Sequence, residues 1–138
     1  TFNGHPVSLA AAIANINVMK SDRIVENARE MGKVMADMLD ELVERHPSVG
    51  EVRSIGLFGI IELVKDKLTR EPLSAWNTNN TTMKAVRKYL LDHGVFLYTH
   101  WHTILLLPPL IITPDQLAEG FAVLDQALDI ADREVSGM

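Results

Sequence analysis

HPSVGEVRSIGLFGIIELVKD, residues 46–66, is the stretch on which the fold turns. His46-Pro47 must end whatever helix precedes it, because the residue before a proline resists the helical conformation. Val49 to Arg53 and Gly56 to Val64 then read as two short strands in quick succession. The second, LFGIIELV, is a nearly continuous apolar run and predicts a buried central strand. Glu62 is its one carboxylate, and a carboxylate in a buried strand must be paired or face an edge. Arg53 is the predicted partner.

Upstream, Arg23 to about Arg45 reads as a helix. Ile24, Ala28, Met31, Val34, Met35, Met38, Leu39 and Leu42 recur at three- and four-residue steps, and Ser21 or Asp22 stands where a cap belongs. Three Met on one stripe read as adaptable core packing. A first helix, Val7 to Met19, starts after Pro6 and carries only Ser8, Asn15 and Asn17 as polar residues, with no charge. Such a helix needs protein on most of its sides. Downstream, Asp66 to Thr81 reads as a polar loop. Thr81 or Thr82 begins a helix that His93-Gly94 stops. Val95 to Tyr98 and Thr103 to Leu107 are two further strands around His100-Trp101-His102. Thr113-Pro114-Asp115-Gln116 is an N-cap followed by proline, opening a helix to about Glu134.

The order is α+β: a small, mostly antiparallel sheet, four-stranded on this reading, covered by helices on one face and preceded by an apolar connecting helix. The first helix stands apart.

Bulk properties exclude several functions. With 138 residues, 47% hydrophobic and 22% charged, the chain is globular and one domain in size. A net charge of −5, with 13 scattered basic residues, argues against nucleic-acid binding. There is no cysteine, hence no disulfide, thiolate metal site or Cys nucleophile, which is compatible with a cytoplasmic location. The longest apolar run, Ile104 to Ile112, is too short to span a membrane and is interrupted by Pro108-Pro109.

His100 and His102 flank Trp101 in a segment read as extended, which aims both imidazoles the same way. Two His at this spacing can share a metal, but no further ligand is fixed by sequence, and a loop or pocket rim is the preferred reading. The six lysines, Lys20, Lys33, Lys65, Lys67, Lys84 and Lys88, all sit in polar settings. A Schiff-base lysine needs a desolvated pocket, so none of the six fits that role. No complete catalytic constellation is present in these residues.

Taken whole, the sequence resembles the C-terminal part of the class III pyridoxal-phosphate-dependent aminotransferases, omega-transaminases included. The resemblance rests on TFNGHP at 1–6, ENAREMG at 26–32, residues 46–66, and PPLIIT at 108–113. It implies the small domain of a fold-type I pyridoxal-phosphate enzyme, preceded by the end of the large domain and its connecting helix. The absence of an initial Met fits a portion of a longer protein. The implied activity is transfer of an amino group from an amine or amino acid to an oxo-acid. The implied partners are the N-terminal cofactor domain of the same protein, a second subunit in a homodimer, and small amine and oxo-acid substrates. Thr1, by position, is the threonine that reaches the phosphate of the neighbouring subunit's cofactor. The Schiff-base lysine, the Asp that pairs with the pyridine nitrogen and the phosphate cup would all lie before Thr1. The chain alone is therefore expected to bind no cofactor and to be inactive.

Relatives grip a substrate carboxylate with an Arg at one of two places. Counting from Pro108-Pro109, those places hold Leu105 and Tyr98. With neither basic, Tyr98, His100, Trp101 and His102 become the candidates for the substrate side of the site. The alternative reading is a stand-alone α+β interaction or dimerisation module without catalysis.

Overall fold

The computed structural model describes residues 3–78 and 80–135. Its elements are α1 (Pro6–Ser21), α2 (Ile24–Arg45), β1 (Val49–Ile55), β2 (Phe58–Asp66), β3 (Glu71–Pro72), α3 (Thr81–Asp92), β4 (Tyr98–His100), β5 (Thr103–Leu106) and α4 (Pro114–Asp132). The sheet runs β1-β2-β5-β4, with β3 also on β2, and every pairing is antiparallel. The α+β architecture read from the sequence is the one found.

Strand β2 is central, as its composition predicts, but from Phe58 to Leu63 it is buried on one face only. Gly59, Ile61 and Leu63 are buried, while Phe58, Ile60 and Glu62 alternate with them on the opposite face and are not. Side chains of a strand point alternately to the two faces, and here α2, α3 and α4 all cover the same one. Ile61, Leu63 and Ile104 meet Met35, Leu39, Leu42, Val86, Leu124 and Leu128 in that core. A run apolar on both faces therefore has protein against only half of it.

Three other sequence expectations are corrected. The 66–81 connection is not wholly a loop, since Glu71–Pro72 adds a short fifth strand to β2. The strand expected from Val95 begins only at Tyr98, because the Val95 amide is already bonded to the Leu90 carbonyl at 2.9 Å, closing α3. Neither Ser21 nor Asp22 caps α2. Its N-cap is Arg23, left-handed at φ +52°, while Ser21 Oγ donates to Val18 O and Asp22 Oδ1. That left-handed residue bends the chain between α1 and α2.

Other ends form as read. Thr113 and Gln116 make a reciprocal capping box with Pro114 at the first helical position. Asn80 caps α3 through the Met83 amide, and Gly94, at φ +80°, follows its end. Helix α1 forms as expected and has no buried residue. Val7 is 71% and Ile13 61% exposed.

Candidate functional site

The uncovered face of the sheet carries two rows of side chains. Cross-strand partners place Arg53, Ile60, Leu105 and Tyr98 in one row, from β1 to β4. The next row is Glu51, Glu62, Thr103 and His100. Residues directly opposite in an antiparallel pair share a face, so both rows look away from the helices. Tyr98 is 52%, Phe58 40% and Ile55 80% exposed there.

Tyr98 and Leu105, seven residues apart in the chain, are direct partners in the β4–β5 ladder. The two places at which the resembled family carries its carboxylate-binding Arg are thus neighbours on one face. An aromatic ring and an aliphatic chain stand there instead. Both also border an apolar cavity of about 410 Å³, whose other walls include Met35, Leu117, Phe121 and Leu124 from the helix-covered side. A charged carboxylate gains nothing from such a lining, whereas an uncharged substituent is accommodated by it.

The His100-Trp101-His102 segment is not extended. Trp101 and His102 are a two-residue turn between the paired His100 and Thr103, and Trp101 is left-handed at φ +53°. The Thr103 hydroxyl donates to the His100 carbonyl at 2.7 Å across this turn. The turn separates the two imidazoles. His100 stacks on Trp101, with centroids 3.8 Å apart, and faces Tyr98 at 5.9 Å. His102 is not in that stack; its Nδ1 is buried with no hydrogen-bond partner among the described residues, and its carbonyl accepts from the Leu63 amide. Trp76, from the 66–81 connection, packs on the other side of Trp101 with centroids 3.6 Å apart. Sequence reasoning missed Trp76, since nothing local signals a contact across 25 positions. Tyr98, His100, Trp101 and Trp76 form one continuous aromatic ridge.

Arg53 and Glu62 form the predicted ion pair, and Arg53 also donates to Glu51 Oε1 at 2.8 Å. The guanidinium is held above its ordinary value, first by Glu62 and then by Glu51. A second polar cluster was not foreseen. His46, 4% exposed, contacts Asp132 Oδ2 through Nδ1 at 2.7 Å and Asp125 Oδ1 through Nε2 at 2.9 Å. His46, Asp129 and Asp132 lie close enough together to suggest a cation site. Both ring nitrogens are already committed to carboxylates, so the cluster is accounted for as a hydrogen-bond network. Thr1 lies outside the described residues. None of the six lysines is buried.

An antiparallel sheet with helices on one face, an open face of mixed apolar and charged residues on the other, and a preceding apolar helix with no buried residue define an α+β domain. The chain belongs to the class-III aminotransferase family, whose model matches residues 1–128. It is 36% identical over 136 residues to an uncharacterized aminotransferase of Schizosaccharomyces pombe, covering 93% of this chain and 29% of that protein. It is 39% identical over 128 residues to the isoleucine 2-epimerase of Lentilactobacillus buchneri, covering 92% of this chain and 27% of that one. A solved taurine:2-oxoglutarate aminotransferase from Bifidobacterium kashiwanohense, in complex with PLP and glutamate, superposes with a TM-score of 0.86 at 35% identity. That match covers 96% of this chain and 30% of the other. The chain thus spans about 30% of the length of such relatives. Among the described residues, no helix is long and apolar enough to cross a membrane.

Proposed function

We propose that residues 21–138 are the small domain, and residues 1–20 the end of the large domain and connecting helix, of a cytoplasmic pyridoxal-phosphate-dependent aminotransferase. The parent protein is a homodimer that moves an amino group from an amine or amino acid to an oxo-acid. Pyridoxal phosphate supplies the electron sink for that chemistry, and the rest of the parent holds it. The role of this chain is to shape the substrate side. The observation that carries the reading is the open sheet face, with Tyr98 and Leu105 paired on it next to an apolar cavity. The side chains of Tyr98, His100 and Trp101 orient the substrate there and exclude water, with His102 behind them in the turn. Thr1 donates to the cofactor phosphate of the neighbouring subunit. With no Arg at positions 98 or 105, this face selects an uncharged substituent over a second carboxylate.

Two experiments test the reading. The chain is mixed with pyridoxal phosphate, reduced with borohydride, and its lysines mapped by peptide mass. No lysine labels stoichiometrically on this reading; one that does would place the cofactor pocket inside the chain and overturn it. In the full-length parent, Trp101→Ala and His100→Ala raise KM for the amine more than they lower kcat. Unchanged kinetics in both variants would remove the turn from the substrate side.

A further inference from the structure

The break between α1 and α2 is confined to Asp22 and Arg23; the rest of residues 6–45 is helix. The Asp22 amide still donates to Val18 O at 3.0 Å, in the α-helical pattern. The Arg23 amide turns to Lys20 O at 3.3 Å, and the Asn27 amide then donates to Arg23 O at 2.9 Å. One backbone state causes the break, since Arg23 stands at φ +52° and ψ +40°.

Nothing in the sequence of this junction asks for a stop. A helix that ends on a left-handed residue ordinarily places Gly or Asn there, because a Cβ raises the energy of that state. Residues 20–24 are Lys, Ser, Asp, Arg and Ile, with neither Gly nor Pro, and Arg is among the better helix formers. The bend also leaves bonds unmade. The amides of Ile24, Val25 and Glu26 precede the first bond of α2, and no side chain caps that helix. In a continuous helix they would donate to Lys20, Ser21 and Asp22.

Packing within the chain does not hold the bend. Helix α1 has no buried residue, and only Met19 in it is half-buried. The side-chain bonds at the junction, from Ser21 Oγ to Val18 O and to Asp22 Oδ1, are both exposed. The start of α2, by contrast, is tied to the sheet domain, since Asn27 Nδ2 donates to Leu110 O at 2.8 Å and to Ile112 O at 3.1 Å. Motion at Arg23 therefore carries α1 and leaves α2 in place.

We infer that Asp22-Arg23 is a two-state hinge. In one state α1 is bent away from α2, as described above. In the other, Arg23 is right-handed, residues 6–45 form one helix, and α1 projects as its N-terminal extension. Protein that covers α1 in its bent position selects the first state, and without such cover the two states exchange. The hinge sets the direction of α1 relative to the sheet domain, and it does not depend on the aminotransferase reading.

The test places spin labels on the 138-residue chain through Ser8→Cys and Lys33→Cys, two exposed positions in a sequence without cysteine. Labelled chain is diluted into excess unlabelled chain, so that association between copies adds no distance. Dipolar spectroscopy is expected to give two populations, one at about 38 Å, the separation along a continuous helix, and one shorter. Arg23→Gly relieves the left-handed state and weakens the helical one, and lowers the long-to-short ratio by about tenfold or more. Asp22→Ala removes the bond from Ser21 and favours helix, and raises that ratio by about threefold. Both positions are exposed, and circular dichroism checks that each variant keeps the fold. A short population alone, both with native Asp22 and in Asp22→Ala, overturns the inference, as does a long population that Arg23→Gly leaves unchanged. In the full-length parent the short distance alone is expected; a long one there overturns the selection of the bend by covering protein.

Discussion

Gly32 of α2 and Gly56 of the β1–β2 turn meet backbone to backbone: a Cβ placed on Gly32 would lie 2.6 Å from Gly56 Cα and 2.8 Å from its carbonyl oxygen. No side chain could yield to relieve that contact, since the obstacle is main chain. The pair sets how closely α2 lies on the sheet, and hence where Met35 and Leu39 enter the core beside Gly59.

Gly32→Ala is therefore expected to destabilise the chain by about 2 kcal/mol or more, by forcing the helix off the turn. Gly56→Ala costs less, about 1 kcal/mol, because its added Cβ meets only the Ala28 carbonyl at 3.9 Å and the penalty is the φ of +53° alone. Chemical denaturation of both variants gives the order. If Gly56→Ala were the more damaging, the close approach would not be what fixes the helix.

His46 ties together three elements that are far apart in sequence. It follows α2, precedes β1 and reaches Asp125 and Asp132 on α4, while the Ser48 amide and hydroxyl both donate to Asp132 Oδ1. His46→Ala leaves the half-buried Asp132 with only its Ser48 bonds and is expected to cost about 2 kcal/mol. Asp125→Asn, at a more exposed oxygen that Arg45 also contacts, costs about 1 kcal/mol or less. Equal losses in the two would mean that the outer bond matters as much as the buried one.

Most of the fold was legible because its signals are local. Pro47, Gly94 and the Thr113-Pro114 pair mark the ends of elements through their own backbone chemistry, and the α2 stripe announces its buried face. Contacts that depend on distant partners were not legible. The apolar residues of β2 do not say which face the helices will cover. Nothing near Trp76 points to Trp101, and His46 gives no sign of Asp132. The turn at Trp101-His102 falls where a loop or pocket rim was the preferred reading, but its left-handed φ was not legible, since that state is ordinarily signalled by Gly, Asn or Asp and a tryptophan gives no such sign.

The exposed apolar residues of α1 and of the open sheet face predict self-association of the isolated chain. Light scattering across a concentration series should show a mass that rises with concentration. Replacing Val7, Ile13 and Ile16 with Ser should reduce it while leaving the helix content of residues 24–132 intact. A monomer at every concentration would count against α1 as a surface that needs covering.

Trp101 offers the sharpest separation of packing from function. A two-residue hairpin turn favours Gly, Asn or Asp where φ is positive, and a bulky residue in that state costs about 1–2 kcal/mol. Stacking on His100 and Trp76 returns about 0.5–1.5 kcal/mol for each pair. Within the chain these terms nearly offset. Trp101→Gly is therefore expected to change stability by less than about 1 kcal/mol, against the 3–5 kcal/mol typical of deleting a core tryptophan. In the full-length parent the same substitution should raise KM for the amine, because the ridge from Tyr98 to Trp76 loses its middle. A loss of stability above about 3 kcal/mol would make Trp101 a packing residue like any other. A stable chain with altered KM would mean that the left-handed tryptophan is held in place for what it touches outside this domain.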